Sequence, residues 1–222
     1  KVLENINCEL EHGKKYAFVG PTGGGKTTTA SLIMRLFDPS EGKVYLNGKD
    51  LRSVSLEEKS KVIGFILQEP MLFSGTVAEN ISYGNDELKE TSVEDLKALL
   101  EKEGLYEVIS RFPDGLETKV GVGADNISLG QKQLVAFIRA ALRKPQLLIL
   151  DEATANIDTV TEKQLQTILD KLPKETSQII IAHRLNTIKN ADEILFVNGG
   201  HVEKAGTFEN AVNLINTSKR VS

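Results

Sequence analysis

Short apolar runs alternate with longer helix-like patterns along this chain of 222 residues. A bounded apolar run is typical of a buried strand, and apolar residues three or four positions apart are typical of one face of a helix. The runs predict strands at 16–19, 43–46, 62–67, 146–150, 179–182 and 194–197. The helical patterns predict helices over about 26–37, 92–103, 108–112, 128–143 and 161–172. Strands therefore come first and last, and a helical insertion of about sixty residues interrupts them.

Local capping signals place several helix starts. Ser92, followed by Asp95 three residues later, can cap one helix, and Ser128 can cap another. Thr161 with Gln164 is taken as the start of a third helix. Together with the strand pattern, these signals predict an α/β fold with a mainly parallel sheet and an inserted helical subdomain.

A glycine-rich loop, GPTGGGKT at residues 20–27, joins the first predicted strand to the first predicted helix. That context identifies the pattern G-x-x-x-x-G-K-T as a phosphate-binding loop and disfavours a merely flexible turn. Glycine backbone lets an anion approach, and N–H groups at the helix N-terminus can donate to it. Lys26 would reach the β- and γ-phosphates of a nucleotide, and the Thr27 hydroxyl would bind Mg²⁺. Gly24 occupies a variable position of the pattern and receives no separate role.

Two adjacent acids, Asp151 and Glu152, follow the apolar run Leu147–Leu150. A buried parallel strand that ends in acids places them at the carboxyl edge of the sheet, where ligands bind in open α/β folds. Asp151 can hold Mg²⁺, and Glu152 can orient or deprotonate an attacking water. A solvated strand end would look the same in isolation, and the glycine loop is what favours the catalytic interpretation.

Two more polar residues end apolar strands. Gln68 follows the run 62–67 and could contact Mg²⁺ and the water, or it could be an ordinary surface amide. His183 follows the run 179–182, where a neutral imidazole can donate a hydrogen bond to a γ-phosphate. Taken alone, a core histidine with satisfied hydrogen bonds is the simpler interpretation of His183.

Composition narrows the class of protein. The formal net charge is −4 without a basic block, so we expect no nucleic-acid partner. No apolar run approaches the length that crosses a bilayer. Cys8 is the only cysteine, and its alternation with Ile6 and Leu10 predicts a core thiol in a strand. The first residues resemble the middle of a domain, so we expect the chain to be part of a longer protein.

The segment NISLGQKQ at 126–133 resembles the signature sequence of ATP-binding cassette (ABC) transporters, normally LSGGQ. The other motifs of that family follow in order over nearly the whole chain. The matching residues are Gly20, Pro21, Thr22, Gly23, Gly24, Gly25, Lys26, Thr27 and Thr28 of the Walker A loop, Gln68 of the Q-loop, Ser128, Leu129, Gly130 and Gln131 of the signature, Leu147–Asp151 of Walker B with Glu152 after it, Ala155–Asp158 of the D-loop, and the switch histidine His183. The phrases QEPMLFSGTVAENISYG and TKVGVGADN are similar to the exporter subgroup.

The resemblance implies a single ABC nucleotide-binding domain over residues 1–222. Its P-loop (RecA-like) core would have a mainly parallel sheet and an N-terminal antiparallel β portion, with a core lobe at about 1–84 and 144–222 and a helical subdomain at about 85–143. It implies ATP and Mg²⁺ as cofactors, and hydrolysis of ATP to ADP and phosphate. The implied catalytic residues are Glu152, His183 and Gln68, and the implied metal ligands are Thr27, Gln68 and Asp151.

The resemblance also implies partners. The signature would act on ATP held by a second nucleotide-binding domain, so that two domains pair head to tail as a homodimer or heterodimer. Transmembrane domains, expected to be fused upstream, would export an unknown substrate. The chain would then lie at the cytoplasmic face of a membrane, taken to be the cell membrane, while the fragment itself is expected to be soluble.

The chain departs from the family pattern at Leu129, at Leu134 and at Ala155-Asn156, where the family usually has glycine, arginine and serine-alanine. The aromatic residue that stacks on adenine is expected upstream of this chain. A leucine would be strained if position 129 required positive φ, by about 1–2 kcal/mol. One alternative is therefore a degenerate ABC domain that binds ATP with little hydrolysis. The other, a non-transport ABC ATPase, would have a long coiled coil between Q-loop and signature, and no sustained heptads occur there.

Overall fold

A computed structural model of the protein describes residues 2–151, 157–181 and 188–218. The strands are β1 (Lys15–Val19), β2 (Tyr45–Leu46), β3 (Lys49–Asp50), β4 (Ile63–Ile66), β5 (Gly75–Thr76), β6 (Lys119–Val120), β7 (Leu147–Asp151), β8 (Ser177–Ile181), β9 (Glu193–Asn198) and β10 (His201–Lys204). The helices are α1 (Lys26–Ile33), α2 (Leu56–Val62), α3 (Val77–Ser82), α4 (Val93–Lys102), α5 (Tyr106–Ile109), α6 (Leu129–Leu142), α7 (Thr159–Asp170) and α8 (Phe208–Ser218). Across these described ranges, no helix combines the length and apolarity needed to span a bilayer.

The main sheet has the strand order β10-β9-β1-β8-β7-β4. Strand β1 pairs in parallel with both β8 and β9, and β7 pairs in parallel with β8. At the far edge, β10 pairs antiparallel with β9. The predicted α/β fold with a mainly parallel sheet is therefore confirmed.

Alternation along β1 fills the space on both faces of the sheet. Tyr16 and Phe18 pack in one apolar cluster with residues of α1, β7 and β8, whereas Ala17 and Val19 pack in a second cluster with β9 and α8. All four side chains are fully buried. A strand that is buried on both faces reads as a continuous apolar run, which is why β1 was visible in the sequence.

The N-terminal antiparallel portion lies after α1. It consists of the hairpin β2–β3, closed by Asn47 and Gly48, which both have positive φ as a tight type I′ turn requires. Residues 2–14 form no strand, and Cys8 is exposed, so the prediction of a core thiol in a strand was wrong. Leu10 still packs against the core, but no described strand pairs with its segment.

The first helix ends earlier than its apolar pattern suggested. It stops at Ile33, and Arg35 has a φ of 50°, which breaks the helix. The Arg35 guanidinium donates hydrogen bonds to the carbonyls of Leu51 and Val54. Phe37, the last residue of the predicted helix, is half exposed. Hydrogen bonds from Arg35 to a distant part of the chain thus end the helix, although the apolar pattern continues beyond it.

The residues group into two compact units. One contains the described residues of Lys1–Phe65, Pro145–Glu152 and Lys174–Ser222, and it holds nearly all of the main sheet. The other contains those of Ile66–Lys144 and Ala153–Pro173, where α6 packs on α7 and on α3. The lobe boundaries near 84 and 144 that the sequence suggested stay a prediction.

Candidate nucleotide-binding site

The glycine loop lies between the end of β1 and the start of α1, as its sequence predicts. Gly25 forms the N-cap with a φ of 110°, and no described side chain caps this helix. N–H groups in the first turn of a helix have no partner within the helix, so an uncapped start such as this one suits an anion. Thr22 and Thr27 are exposed, and Thr28 is half-buried.

Lys26, the first residue of α1, turns back over the loop. Its ammonium donates hydrogen bonds to the carbonyl oxygens of Gly20 and Pro21, both at 2.9 Å. The side chain is buried, with only 6% of its surface exposed. A buried ammonium held against the loop adds a fixed positive charge beside the helix N-terminus, where phosphate oxygens would be stabilised.

Two of the loop glycines are required by a close approach of β9. A Cβ atom at Gly20 would collide with the carbonyl oxygen of Val197, and a Cβ atom at Gly24 would lie 2.6 Å from the same oxygen. At Gly23, by contrast, no atom of the described chain lies within 4 Å of the position a Cβ would take. Gly24 therefore has a packing role, which the sequence did not suggest.

Asp151 ends β7 at the carboxyl edge of the sheet. It is level with Ile181 of β8, and Ile181 is level with Phe18 of β1. Strand β8 thus lies between the strand that leads into the glycine loop and the strand that ends in Asp151. Asp151 is half-buried and interacts with another group of the chain. Glu152 and His183, the residues expected to follow β7 and β8 at this edge, lie outside the described residues.

Gln68 lies two residues beyond β4, in a bend, and is exposed. Its backbone carbonyl accepts a hydrogen bond from Nε2 of Gln133 at 2.9 Å, and both residues belong to the second compact unit. Gln133 itself is fully buried on α6. Sequence reasoning did not select it, although a glutamine on a helix face shared with buried Ala136, Phe137 and Ala140 was a usable signal.

The signature residues begin α6. Ser128 is its N-cap: the Ser128 hydroxyl accepts from the N–H of Gln131, and the Gln131 side chain accepts from the N–H of Ser128. Gln131 also donates to the carbonyl of Arg111. Leu129 is the first helical residue and does not have positive φ, so the strain considered for a leucine at this position does not arise.

Gly130 places α6 close to α7. A Cβ atom at Gly130 would lie 3.1 Å from Cγ2 and 3.2 Å from Oγ1 of Thr161, which is tighter than ordinary van der Waals contact. Thr161 is buried in the first turn of α7. The two signature residues Ser128 and Gly130 thus act differently on the fold, one by capping and one by allowing close packing.

The first turn of α7 is capped by Asp158 and not, as predicted, by Thr161 with Gln164. The Asp158 carboxylate accepts from the N–H groups of Val160 and Thr161 and, at 2.5 Å, from the Thr161 hydroxyl. These hydrogen bonds, first the one from the hydroxyl, lower the pKa of Asp158. An aspartate suits this N-cap position because its carboxylate can accept hydrogen bonds from several donors at once.

The donor chemistry of the chain fits Mg²⁺. The side chains of Thr27, Asp151 and Gln68 each carry an oxygen donor of the kind that this ion accepts. The described residues contain no cluster of three or more histidine, cysteine or acidic side chains that could hold a metal. Mg²⁺ usually takes one or two carboxylates and completes its coordination with phosphate and water, so such a cluster is not needed.

The strand order and the glycine loop between β1 and α1 define an α/β fold of the P-loop class. The chain belongs to the ABC transporter family, whose profile matches residues 3–155. It is similar to ABC transporter B family member 14 of Arabidopsis thaliana, with 43% identity over 213 residues that cover 96% of this chain and 17% of the relative. It is also similar to an ATP-dependent lipid A-core flippase of Ralstonia nicotianae, with 38% identity over 205 residues, 92% of this chain and 35% of the relative.

Among solved structures, the chain resembles a bacterial Atm1-family ABC exporter with ATP bound. The TM-score is 0.81 at 32% sequence identity, and the match covers 100% of this chain and 37% of that chain. The chain therefore spans about a third or less of the length of these relatives.

Proposed function

We propose that this chain is the ATP-binding and ATP-hydrolysing domain of an ABC exporter. The observation that carries the proposal is the buried Lys26 ammonium, which is held over the glycine loop at the uncapped start of α1. The phosphates of ATP would bind there, accepting from loop N–H groups and from Lys26. The match to a solved exporter over the full chain supports the same assignment.

The reaction would be hydrolysis of ATP to ADP and phosphate. Mg²⁺, held by Thr27, Asp151 and Gln68, would offset charge on the β- and γ-phosphates. Glu152 would orient or deprotonate the attacking water, and His183 would donate a hydrogen bond to the γ-phosphate. Gly20–Thr28 would bind the nucleotide, with Lys26 stabilising the charge that builds up on the leaving phosphates.

The signature residues Ser128–Gln131 would contact ATP bound to a second nucleotide-binding domain. The N-terminus of α6 would offer an anion site through the N–H groups that its capping box does not use, and the glycine loop would offer another. One γ-phosphate shared by two such sites would hold two domains together, and hydrolysis would release them. Transmembrane partners at the cytoplasmic face of a membrane would respond to that change in population and move the substrate.

The alternative, a degenerate domain with little hydrolysis, rested on Leu129. The helical backbone at Leu129 and the complete capping box of Ser128 and Gln131 favour a working signature instead. No specific observation supports a non-transport ABC ATPase.

The test is steady-state hydrolysis of saturating ATP with Mg²⁺ by the wild-type chain and by Glu152→Gln. The substitution keeps the shape of the side chain but removes the charge, so turnover should fall by about 10²- to 10⁴-fold. Glu57→Gln, at an exposed glutamate that pairs with Lys61 in its own helix, is the matched control and should retain activity. Absence of ATP hydrolysis in the wild-type chain, or full activity of Glu152→Gln, would refute the proposal.

A further inference from the structure

Gln133 is a buried polar side chain that folding alone does not explain. It is fully buried in α6, two residues after the signature ends at Gln131, and its Oε1 atom has no hydrogen-bond partner among the described residues. An unsatisfied buried amide oxygen destabilises the folded state relative to an apolar side chain of similar shape. Methionine would fill a similar volume without that cost. The presence of an amide here therefore points to the hydrogen bond that its Nε2 atom makes.

That hydrogen bond joins the signature helix to Gln68. Nε2 of Gln133 donates to the Gln68 carbonyl at 2.9 Å. Gln68 lies beyond the last residue of β4, so sheet pairing does not fix its backbone. The hydrogen bond from α6 orients the peptide group that directly follows the Gln68 side chain.

A second contact shows that α6 holds the following loop separately. Arg139 of α6 donates to the carbonyls of Asn80 and Met71 and to the Asn80 side chain. Asn80 in turn bonds to both backbone groups of Phe73. Burial lowers the pKa of Arg139 to about 10, so its guanidinium stays charged at neutral pH. This loop therefore has its own anchor, and Gln133 is left to act on Gln68.

We propose that Gln133 is a positioning residue that couples the signature to Gln68. Ser128 and Gln133 lie at the same end of one helix, so a displacement of the signature would move the donor that holds the Gln68 backbone. Contact between the signature and a partner's nucleotide would thereby change the placement of Gln68. This inference rests on the proposed function, because it needs Gln68 to act on the ATP of this chain and the signature to contact the ATP of a partner.

The test compares the wild-type chain with Gln133→Met, which removes both the donor and the unpaired oxygen. The free energy of unfolding in urea should stay the same or rise. Amide hydrogen exchange should become faster at residues 67–69 and stay unchanged at 73–76. The kcat for ATP should fall by about tenfold or more, as for outer partners of metal ligands, with little change in KM.

Gln164→Met is the matched control. Gln164 lies on α7 in the same compact unit, and its Oε1 atom is likewise buried without a partner in the described part of the chain. This variant should change neither hydrogen exchange at 67–69 nor kcat. A second control, Gln68→Ala, keeps the backbone carbonyl that accepts from Gln133. In that background Gln133→Met should cause no further loss of kcat if Gln133 acts through the Gln68 side chain.

Three results would overturn the inference: unchanged exchange at 67–69 in Gln133→Met, unchanged kcat in an active wild-type background, or additive losses of kcat in the double variant. An inactive wild-type chain would instead refute the proposed function. The exchange measurement would still show whether Gln133 holds Gln68, because it does not depend on turnover.

Discussion

Gly130→Ala tests the close contact between the signature helix and α7. The new Cβ atom would lie 3.1 Å from Cγ2 and 3.2 Å from Oγ1 of Thr161, so one of the helices must move by a few tenths of an ångström. Thr161 is buried and its hydroxyl is held by Asp158, so its side chain cannot simply rotate away without breaking that hydrogen bond.

Two opposing terms set the expected size of the effect. Overpacking of this kind costs about 1–3 kcal/mol, whereas replacing glycine by alanine in a helix gains up to about 1 kcal/mol. We therefore expect Gly130→Ala to lower the free energy of unfolding by about 1 kcal/mol in the wild-type background.

Two substitutions of Thr161 separate the cost of overpacking from the gain of replacing glycine in a helix. Thr161→Ala removes the two atoms that would lie closest to the new Cβ, whereas Thr161→Val keeps atoms at both positions. Both changes lose the hydroxyl that donates to Asp158, so that loss cancels between them. Gly130→Ala should be neutral or stabilising in the Thr161→Ala background and should stay destabilising in the Thr161→Val background.

The assay is urea unfolding followed by circular dichroism, since the chain has no tryptophan to serve as a fluorescence probe. The interaction energy between Gly130→Ala and Thr161→Ala should be about 1–2 kcal/mol and that with Thr161→Val near zero. If Gly130→Ala had the same effect in both backgrounds, within about 0.5 kcal/mol, the close contact could not be the reason for glycine here.

Three further predictions concern single side chains. Lys26→Ala should weaken ATP binding strongly in a nucleotide titration, because it removes the ammonium held over the loop. The circular dichroism spectrum should stay unchanged. Equal affinity of the two proteins for ATP would refute the assignment of the loop. Leu129→Gly relieves no backbone strain at this helical position, so the rate of ATP hydrolysis should rise by less than about tenfold, or 1.4 kcal/mol of barrier. A larger gain would mean that the leucine disables the signature. Hydrogen bonds from the Arg52 side chain and then its backbone lower the pKa of Asp50 to about 2, so its stabilising effect is complete above about pH 4 and is lost as the pH falls towards 2. The difference in Tm between wild type and Asp50→Asn should therefore shrink over that interval, and a constant difference would contradict the assigned cause.

Features that depend on near neighbours in the sequence were predicted well. The caps at Ser92 and Ser128 are fixed by residues within three positions of one another. The apolar runs of β1 and β7 likewise predicted buried strands, because both faces of a central parallel strand are covered. The position of the glycine loop between a strand and a helix was predicted for the same reason: its strand, glycines and lysine are contiguous.

Features that depend on distant neighbours were missed or assigned differently. The helix α1 ends at Ile33 because Arg35 is anchored to Leu51 and Val54, which the periodicity before it cannot reveal. Cys8 is exposed because its segment pairs with no strand of the described chain, although its alternation alone was that of a strand. Gln133 was overlooked because its function depends on a carbonyl that only the folded chain brings within reach.

The sequence by itself therefore determined the fold class and the family, and it predicted the residues that would bind a nucleotide, since each follows from local pattern and chemistry. The tertiary structure decided why particular residues must stand there. Gly24 appeared interchangeable in its loop, but the placement of β9 beside β1 brings the Val197 carbonyl to where a Cβ would lie. Gly130 is required in the same way by the approach of α7 to α6. Steric exclusion between segments far apart in the chain is a property of the packed structure, and no local pattern records it.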